Sequence, residues 1–410
     1  MAVKPGYKQT EVGVIPDEWQ VSTLQDACQE PISYGIVQCG PHLNSGIPYI
    51  RVSDMDEPEL NVDGMLRTSP SIASRFGRST VQEGDLVYAL RGKLGEVRQV
   101  RADVAGANLT QGTARLSPNK KVLSDYFLWA LRNPPTVRQA EIEAKGTTFR
   151  EITLADLRKI KVLIPPLSEQ LFIATALSDV DALLGALERL IAKKRDLKQA
   201  TMQQLLTGQT RLPGFYEEWM VKRLGDVARI QRGASPRPID SSVWFDQNSS
   251  VGWVRISDVT KSGMYLRETT QRLSPLGVQH SRPVARGSLI MSICATVGRP
   301  VITKIDVCIH DGFVVFDDLQ ADKLFIYYTL KWIEPDWSKH GQTGSQMNLN
   351  TGLITGTEVS LPPLPEQAAI AAVLSDMDAE LAALEQRLAK ARALKQGMMQ
   401  ELLTGRTRLL

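Results

Sequence analysis

Cysteine and histidine are scarce in this chain of 410 residues, and its net charge is only +3. The cysteines form no C-x-x-C pair, so we expect reduced thiols, with neither a disulfide framework nor a structural zinc site. Four histidines without regular spacing offer no metal cluster. The N-terminus lacks a signal-peptide core, and no apolar run approaches the length of a membrane span. We therefore predict a cytoplasmic protein that has no membrane as a partner. The cysteines are Cys28, Cys39, Cys294 and Cys308.

One stretch of the sequence occurs twice. Residues 203–212 read QQLLTGQTRL and residues 400–409 read QELLTGRTRL, and the similarity extends back over the preceding residues. Aligned without a gap, 164–212 and 361–409 are identical at 31 of 49 positions. A match of this length indicates an internal repeat, which determines the architecture before any smaller motif is considered.

Each copy of the repeat predicts a long helix. The copies open with prolines, the first has Ser168 as a candidate N-cap, and they end at Gly208 and Gly405. Good helix formers dominate between these signals, and apolar residues recur in alternating steps of three and four, as in a coiled coil. We therefore predict two helices that pair antiparallel, with a pseudo-twofold relation between the halves. The predicted pairing residues are Leu177, Val180, Leu184, Leu187, Leu205, Leu374, Met377, Leu381, Leu384 and Leu402.

A weaker repeat precedes each helix. The phrase YIRVSDM from Tyr49 resembles WVRISDV from Trp253, and VQEGDLVYALRGKLGEV from Val81 resembles VARGSLIMSICATVGRP from Val284. These segments alternate β-branched and aromatic residues with Gly and Pro, which predicts heads with a β core. The N-terminal segment also resembles the one after the first helix, so the repeat is cyclic. We predict an α+β chain with a first head at 1–163, a helix at 164–208, a second head at 209–360 and a helix at 361–410.

Three short motifs suggest enzymes but lack the rest of the site. RNPPT at 132–136 resembles the loop of amino-methyltransferases, yet Thr136 replaces the aromatic residue that stacks on a flipped base. No F-x-G-x-G cofactor motif is present, so we expect Asn133 to end a helix over 124–132. EIEAKG at 141–146 lacks the Pro-Asp partner of a nuclease, and RGKLG at 91–95 lacks the first glycine of a phosphate loop. No catalytic or metal site is therefore predicted.

Two variable heads, each followed by PPL-x-EQ, a long helix and LLTG, resemble the specificity subunit of a type I restriction–modification enzyme. The resemblance covers nearly the whole chain. It implies a DNA-recognition subunit without catalysis of its own, with each head reading one half of a bipartite double-stranded target. It also implies two methyltransferase subunits that dock along the helices and bind S-adenosylmethionine, and restriction subunits that use ATP and Mg²⁺. The chain itself is expected to bind no cofactor.

Given this resemblance, we looked for loop residues that suit base edges and phosphates. The candidates in the first head are Tyr34, Gln38, His42, Arg91, Lys93, Thr148 and Arg150. Those in the second head are Arg232, Ser235, Arg237, Arg299, Gln346 and Asn348. Ordinary turn chemistry is the alternative for the glycine-rich loops among them. Arg51 and Arg255, which occupy matching positions, suit a structural salt bridge or a phosphate contact.

The charge pattern leaves a second class of function open. Residues 67–101 carry seven basic and three acidic side chains, which agrees with a polyanionic partner. A solvated surface also explains such a stretch. The alternative to a DNA-recognition subunit is therefore a non-catalytic coiled-coil adaptor whose two heads bind proteins.

Overall fold

The computed structural model describes residues 4–146, 150–340 and 349–409. It separates into two compact units: unit 1 is Met1–Glu188 with Gln386–Leu410, and unit 2 is Arg189–Glu385. Each unit therefore contains one globular head and a part of each long helix. We call residues 4–166 head 1 and residues 209–363 head 2.

Short strands form the core of head 1. They are β1 Tyr7–Thr10, β2 Gly13–Pro16, β3 Gln20–Thr23, β4 Ser33–Tyr34, β5 Ile47–Ile50, β6 Leu66–Thr68, β7 Leu86–Ala89, β8 Val97–Gln99, β9 Asn108–Leu109, β10 Thr113–Leu116 and β11 Lys161–Ile164. The largest sheet is antiparallel, with the order β4-β10-β7-β8, and a second has the order β6-β5-β9 with β5 and β9 parallel. The remaining pairs are β1 with β2 and β3 with β11.

Five short helices cover these sheets before the long helix of unit 1 begins. They are α1 Leu24–Ala27, α2 Pro70–Ser74, α3 Ser124–Arg132, α4 Pro134–Glu143 and α5 Leu154–Lys159. Single 3₁₀ turns lie at Val52–Met55, Val62–Gly64 and Gly77–Ser79. Helix α3 ends before Asn133 as predicted, and two prolines then start α4. The long helix that follows is α6 Leu167–Leu206.

Head 2 repeats this plan with larger sheets. Its strands are β12 Met220–Arg223, β13 Arg229–Arg232, β14 Gly252–Val254, β15 Tyr265–Leu266, β16 Gln271–Arg272, β17 Arg282–Val284, β18 Leu289–Ser292, β19 Pro300–Thr303, β20 Val307–Ile309, β21 Phe313–Asp317 and β22 Glu358–Leu361. The sheets have the orders β13-β21-β18-β19-β15, β16-β14-β20-β17 and β12-β22. Its helices are α7 Leu224–Val227, α8 Ile256–Lys261, α9 Pro275–Gln279, α10 Lys323–His340 and α11 Thr351–Gly356, with a 3₁₀ turn at Ser242–Trp244. The second long helix is α12 Leu364–Leu402.

The middle strand of each head is buried on both faces. In β7, Leu86 and Tyr88 belong to one buried cluster, whereas Val87 and Ala89 belong to another. Because successive side chains of a strand point to opposite faces, apolar cores lie on both sides of this sheet. That arrangement explains why the strand reads as a continuous apolar run instead of an alternating one. Strand β18 of head 2 is buried on both faces in the same way.

The ends of the long helices agree only partly with the expected caps. Helix α6 begins at Leu167, so Ser168 lies inside the first turn and the prediction of Ser168 as N-cap was wrong. Pro165 and Pro166 stop the preceding strand, and the helix starts directly after them. At the other ends, Gly208 and Gly405 have φ of 72° and 71°, the left-handed conformation expected after a helix.

Within each unit the two long helices run antiparallel against each other. In unit 1, Asp181 of α6 pairs with Lys395 of α12, and Glu188 of α6 pairs with Arg392 of α12. The residue numbers of the partners in α12 therefore decrease as the residue numbers in α6 increase. In unit 2, ion pairs join Lys198 to Asp378, Lys194 to Glu380 and Arg195 to Glu385. Of the predicted pairing residues, Val180, Met377 and Leu384 are half-buried. The others are buried: Leu177, Leu184, Leu187, Leu205, Leu374, Leu381 and Leu402.

One of the long helices is apolar enough to resemble a membrane span. Helix α6 meets the length and composition of a spanning segment, although the sequence analysis had found no such run. Its first turns are packed in unit 1, where Ile173, Ala174 and Leu177 belong to a buried cluster that also holds Trp19. It is therefore a core helix. The predicted α+β fold, with two mixed heads joined by two long packed helices, is confirmed.

Candidate nucleic-acid interface

Head 1 is held to the long helices by one buried carboxylate. Trp19 Nε1 donates to Glu169 Oε2 at 2.9 Å, and the Glu169 residue is 2% exposed. Arg408, which follows α12, donates to both oxygens of Glu169, each at 2.9 Å. Hydrogen bonds to Glu169 and then to Glu18 raise the pKa of Arg408 above its usual value. The buried charge of Glu169 is therefore fully paired.

Head 2 has the same attachment. Trp219 Nε1 donates to Glu366 Oε2 at 3.2 Å, and Arg211 donates to both oxygens of Glu366 at 2.6 Å. The glutamate belongs to PPL-x-EQ and the arginine to the TRL of the repeated phrase. We call these clusters anchor 1 (Trp19, Glu169, Arg408) and anchor 2 (Trp219, Glu366, Arg211). The repeated phrase thus supplies an arginine to each anchor.

The glutamine of the same motif fixes the orientation of each head. Gln170 Nε2 donates to the Pro165 and Lys121 carbonyls, and its Oε1 accepts from the Leu123 N–H. Gln367 makes the corresponding bonds to Pro362 and to the Asp322 N–H. Further along the helices, Trp129 donates to Ser178, and Tyr328 donates to Ser375. Equivalent attachments at several levels make each head rigid on its helices.

A groove of about 740 Å³ opens in head 1. Its walls come from the loop after β4, the 3₁₀ turn after β5, the loop after β7 and the turn between β9 and β10. We call it groove 1. Polar and aromatic side chains converge there, which suits recognition of a ligand with both flat and polar surfaces. The lining residues used below are Cys39, Tyr49, Arg51, Arg91, Gln111 and Gly112.

Two glycines let the walls of groove 1 approach each other. A Cβ on Gly35 would lie 1.9 Å from the Leu109 carbonyl oxygen, and a Cβ on Gly112 would lie 2.9 Å from Arg91 Nε. Only glycine fits at the backbone approach of Gly35, whereas a Cβ on Gly112 would displace the Arg91 side chain. Arg91 can therefore lie over the turn at Gly112, and it has no ion pair among the described residues. Its loop is held in place because the Gly92 N–H donates to the Arg150 carbonyl.

The candidates in head 1 have different surroundings. Tyr34 and Gln38 are exposed, Tyr34 on the edge strand β4. His42 is exposed and its Nδ1 accepts from the Arg67 N–H at 3.1 Å. Lys93 pairs with Asp56 at 2.5 Å, and the Arg150 guanidinium donates to the Glu141 carbonyl. Of these candidates, Arg91 is the one that lines groove 1. Thr148 lies outside the described residues.

The dense basic stretch of head 1 is partly structural. Arg98 is buried and donates to the Met55, Glu57 and Val97 carbonyls. Arg101 forms a two-bond ion pair with Glu59. Arg51 is paired with Asp54, whose hydrogen bond raises the pKa of Arg51, as expected for a structural salt bridge. The count of basic residues therefore overstates the free positive charge of this head.

In head 2 three candidates gather around one carboxylate. Ser235 Oγ donates to Asp311 Oδ1 at 2.7 Å, and Arg237 Nη2 lies 3.5 Å from Asp311 Oδ2. Arg232 Nε donates to the backbone carbonyl of Asp311 at 2.6 Å. The turn His310–Gly312 thus holds candidates from the end of β13 and from the loop that follows it. We call these four residues the Asp311 cluster: Arg232, Ser235, Arg237 and Asp311.

The last candidates of head 2 do not join this cluster. Arg299 pairs with Glu334 at 3.2 Å and donates to the Thr260 carbonyl at 3.4 Å. The backbone N–H of Arg255, the counterpart of Arg51, donates to Asp258 Oδ2 at 2.9 Å. Among the described residues, the Arg255 and Asp258 side chains form no salt bridge, unlike those of Arg51 and Asp54. Gln346 and Asn348 lie outside the described residues.

Electrostatics distinguish the turn residues of head 2. Hydrogen bonding from Ser235 lowers the pKa of Asp311, assisted by neighbouring positive charge, so this carboxylate is ionised at neutral pH. Burial lowers the pKa of His310, which keeps the imidazole neutral and lets Nδ1 accept from the Gly312 N–H at 2.9 Å. Burial also raises the pKa of the Cys39 and Cys294 thiols. Within the described ranges no three Cys, His, Asp or Glu side chains are placed to hold a metal.

Sequence reasoning missed Gln111 and Asp311. They occupy the same place in two matching turns, LTQGT from Leu109 and IHDGF from Ile309. The Asp-Gly pair in the second turn is a recognised turn signal that could have located it. Glu169 and Glu366 are the glutamates of PPL-x-EQ, but no local pattern in the sequence indicates that each is buried against an arginine.

The comparisons with known proteins agree with this geometry. Residues 16–196 and 216–392 match the family described as type I restriction modification DNA specificity domain. The chain belongs to this family. It is therefore the DNA specificity subunit of a type I restriction–modification system, a component without catalysis of its own. Cofactors in such complexes are bound by the methyltransferase and restriction subunits.

The chain is similar to specificity subunits whose matches cover from about half to nearly all of it. The type I restriction enzyme MjaVIII specificity subunit of Methanocaldococcus jannaschii is 24% identical, over 96% of this chain and 94% of its own. The EcoBI specificity subunit of Escherichia coli is 26% identical over 48% of this chain and 43% of its own. The S subunit from M. genitalium matches the fold with a TM-score of 0.60 at 15% identity, covering 98% of both chains. The HsdS subunit from Thermoanaerobacter tengcongensis gives 0.51 at 20% identity, covering 96% and 98%.

Proposed function

We propose that this specificity subunit reads a bipartite double-stranded DNA target, one half with each head. Head 1 reads its half with groove 1 and the loops around it, and head 2 reads the other half with the Asp311 cluster. The supporting observation is that the two heads are attached to the helices by identical anchors but have different polar side chains at matching turns. Two heads that share a scaffold and differ in the side chains that contact bases recognise different sequences.

The same proposal assigns the partners. Two methyltransferase subunits dock along the paired helices and bind S-adenosylmethionine, and restriction subunits supply the ATP- and Mg²⁺-dependent nuclease. The helices set the number of base pairs between the two half-sites. The complex works in the cytoplasm, where its DNA is. For exchange experiments the working boundaries are the predicted ones: heads at 1–163 and 209–360, helices at 164–208 and 361–410.

The candidates contribute unequally in this proposal. Exposed side chains that have no internal partner are free to contact bases, whereas Lys93, Arg150 and Arg299 must first release a partner. We therefore rank Arg91 first in head 1, and Tyr34 and Gln38 come next in rank. In head 2 the ranking begins with Arg237, whose side chain is 71% exposed and whose one ion pair, with Asp311, is long at 3.5 Å. Thr148, Gln346 and Asn348 remain predictions from the sequence.

The test uses the full chain in complex with its methyltransferase subunits and a pool of duplexes with randomised sequence. We expect the wild-type complex to select two constant blocks at a fixed separation. Arg91→Ala should weaken selection in one block by about tenfold, since a good side-chain contact to a base discriminates by roughly that factor or more. The second block should stay unchanged.

The matched control is Arg101→Ala, which removes an arginine of the same head that is already paired with Glu59. It should leave both blocks intact. If Arg91→Ala altered both blocks equally, the assignment of one half-site to head 1 would be wrong. If the wild-type complex selected no block and its heads instead retained a protein, the adaptor alternative would replace the proposal.

A further inference from the structure

Each head has one polar residue at an equivalent position on the surface that is proposed to contact DNA. In head 1 the turn between β9 and β10 has Gln111 at its tip, and in head 2 the turn between β20 and β21 has Asp311 there. Both turns end in a glycine that a side chain of the neighbouring loop overlies, Arg91 in head 1 and Cys294 in head 2. The two tips are therefore equivalent in position but differ in charge.

A carboxylate on a surface that meets DNA is repelled by the phosphates, which lowers non-specific affinity. It helps recognition where it accepts from a cytosine amino group or where it orients neighbouring donors. The Asp311 side chain is 46% exposed and its lowered pKa keeps it charged. Both carboxylate oxygens already face protein groups, Ser235 and Arg237, which favours a positioning role over direct contact with a base.

The groups that Asp311 holds are three of the side chains that the sequence predicts to contact DNA. Asp311 Oδ1 is occupied by Ser235, Oδ2 faces Arg237, and the backbone carbonyl is occupied by Arg232 Nε. The other guanidinium nitrogens of Arg232 have no hydrogen bond among the described residues. A guanidinium fixed at one edge by a protein oxygen presents its remaining N–H groups in a defined direction.

We propose that Asp311 is a positioning residue that determines the base preference of head 2. It orients Arg237 and Ser235 through its carboxylate, and Arg232 through its backbone, towards the base edges of one half-site. Gln111 holds the equivalent place in head 1, where its amide contacts a base directly. The inference rests on the proposed function, because it assumes that head 2 reads DNA.

The decisive variant is Asp311→Asn in the full chain, assembled with its methyltransferase subunits. Asparagine keeps an acceptor for Ser235 but loses the charge that orients Arg237. We expect discrimination within the block read by head 2 to fall about tenfold. Affinity for unrelated duplex should stay equal or rise, since one negative charge near the phosphates is removed.

A purely structural role predicts a different pattern. If Asp311 merely stabilised the turn, specific and non-specific affinities would fall together, along with the thermal midpoint of unfolding. That result overturns the proposal, as does an unchanged preference in the block of head 2. Gln111→Ala supplies the second arm, and it should relax the other block alone.

The matched control is Asp318→Asn. Asp318 also pairs with an arginine, Arg229, at the other end of the same strand pair, and asparagine tolerates its φ of 50°. It should leave both blocks unchanged. Failure of the proposed function is a separate result, because it would appear as the absence of any selected block in the wild-type complex.

Discussion

In unit 1 the central sheet contains a buried ion pair, whereas unit 2 has no charge at the matching positions. Arg115 Nε lies 2.5 Å from Asp85 Oδ2, and the two side chains are 9% and 3% exposed. The corresponding residues of head 2 are Val315 and Ser288, since β10 and β21 pair with their neighbours in the same register. One sheet therefore accommodates either a charge pair or an apolar residue.

The anchors show the opposite behaviour, since they are chemically identical in both units. Each joins a tryptophan of the head, a glutamate at the start of one long helix and an arginine after the end of the other. In the ion pair of head 1, Asp85 directly precedes β7 and Arg115 lies in the adjacent strand β10, so both can be replaced together locally. An anchor joins three separate segments, and a change in one of them leaves a buried charge unpaired.

The largest effect is expected from anchor 1. Glu169→Ala leaves Trp19 Nε1 without its acceptor in a buried site, and it leaves Arg408 with the exposed Glu18 as its carboxylate partner. We expect a loss of about 3 to 5 kcal/mol in the free energy of unfolding of unit 1. Glu366→Ala should cost less, because Arg211 is more exposed than Arg408. Denaturant unfolding checks this order, with the exposed Glu188→Ala as control; equal losses at Glu188 and Glu169 would contradict it.

The buried ion pair gives the next effect. Asp85→Ser alone leaves Arg115 charged and unpaired, and should cost about 3 kcal/mol. The double variant Asp85→Ser with Arg115→Val copies head 2 and should lie within about 1 kcal/mol of wild type, because no buried charge is left. Denaturant unfolding of the three proteins measures the coupling. If the single and double variants were equally stable, the unpaired charge of Arg115 would not be the cause of the decrease in the free energy of unfolding.

The smallest effect is a dependence on pH that arises from His310 in unit 2. His310 has a lowered pKa in the folded chain, so the unfolded state binds its proton more readily. Stability from this group is therefore present above the ordinary histidine value and is lost as pH falls below about 6.5. Protonation would also remove the acceptor that Nδ1 offers to the Gly312 N–H.

The variant that isolates this effect is His310→Asn. Asparagine can accept the same N–H in an Asx turn but does not titrate. Thermal unfolding at pH 7.5 and pH 5.5 should show a smaller decrease for the variant than for wild type. An equal decrease in both proteins would assign the acid sensitivity to other groups. Head 1 has Thr110 at this position, so it provides an internal reference.

Much of the architecture follows from local patterns. The heptad spacing of residues such as Leu177 and Leu374 predicts the long helices because a helix needs only its own backbone bonds and one apolar stripe. The DNA-recognition residues are harder, since a loop position says nothing about what else competes for its side chain. Lys93 and Arg299 were chosen for charge and position, yet both already pair with acids within their heads.

The duplication, the two long helices and the β character of the heads can be predicted from the sequence alone. These depend on periodicity and on residue types along a continuous stretch. The buried charges that are satisfied and the polar groups that share a surface are known from the packing of the folded chain. Glu169 and Arg408 are 239 positions apart, and Ser235 and Asp311 are 76 apart. Contacts over such separations depend on how the strands and helices pack, and no local pattern in the chain specifies that packing.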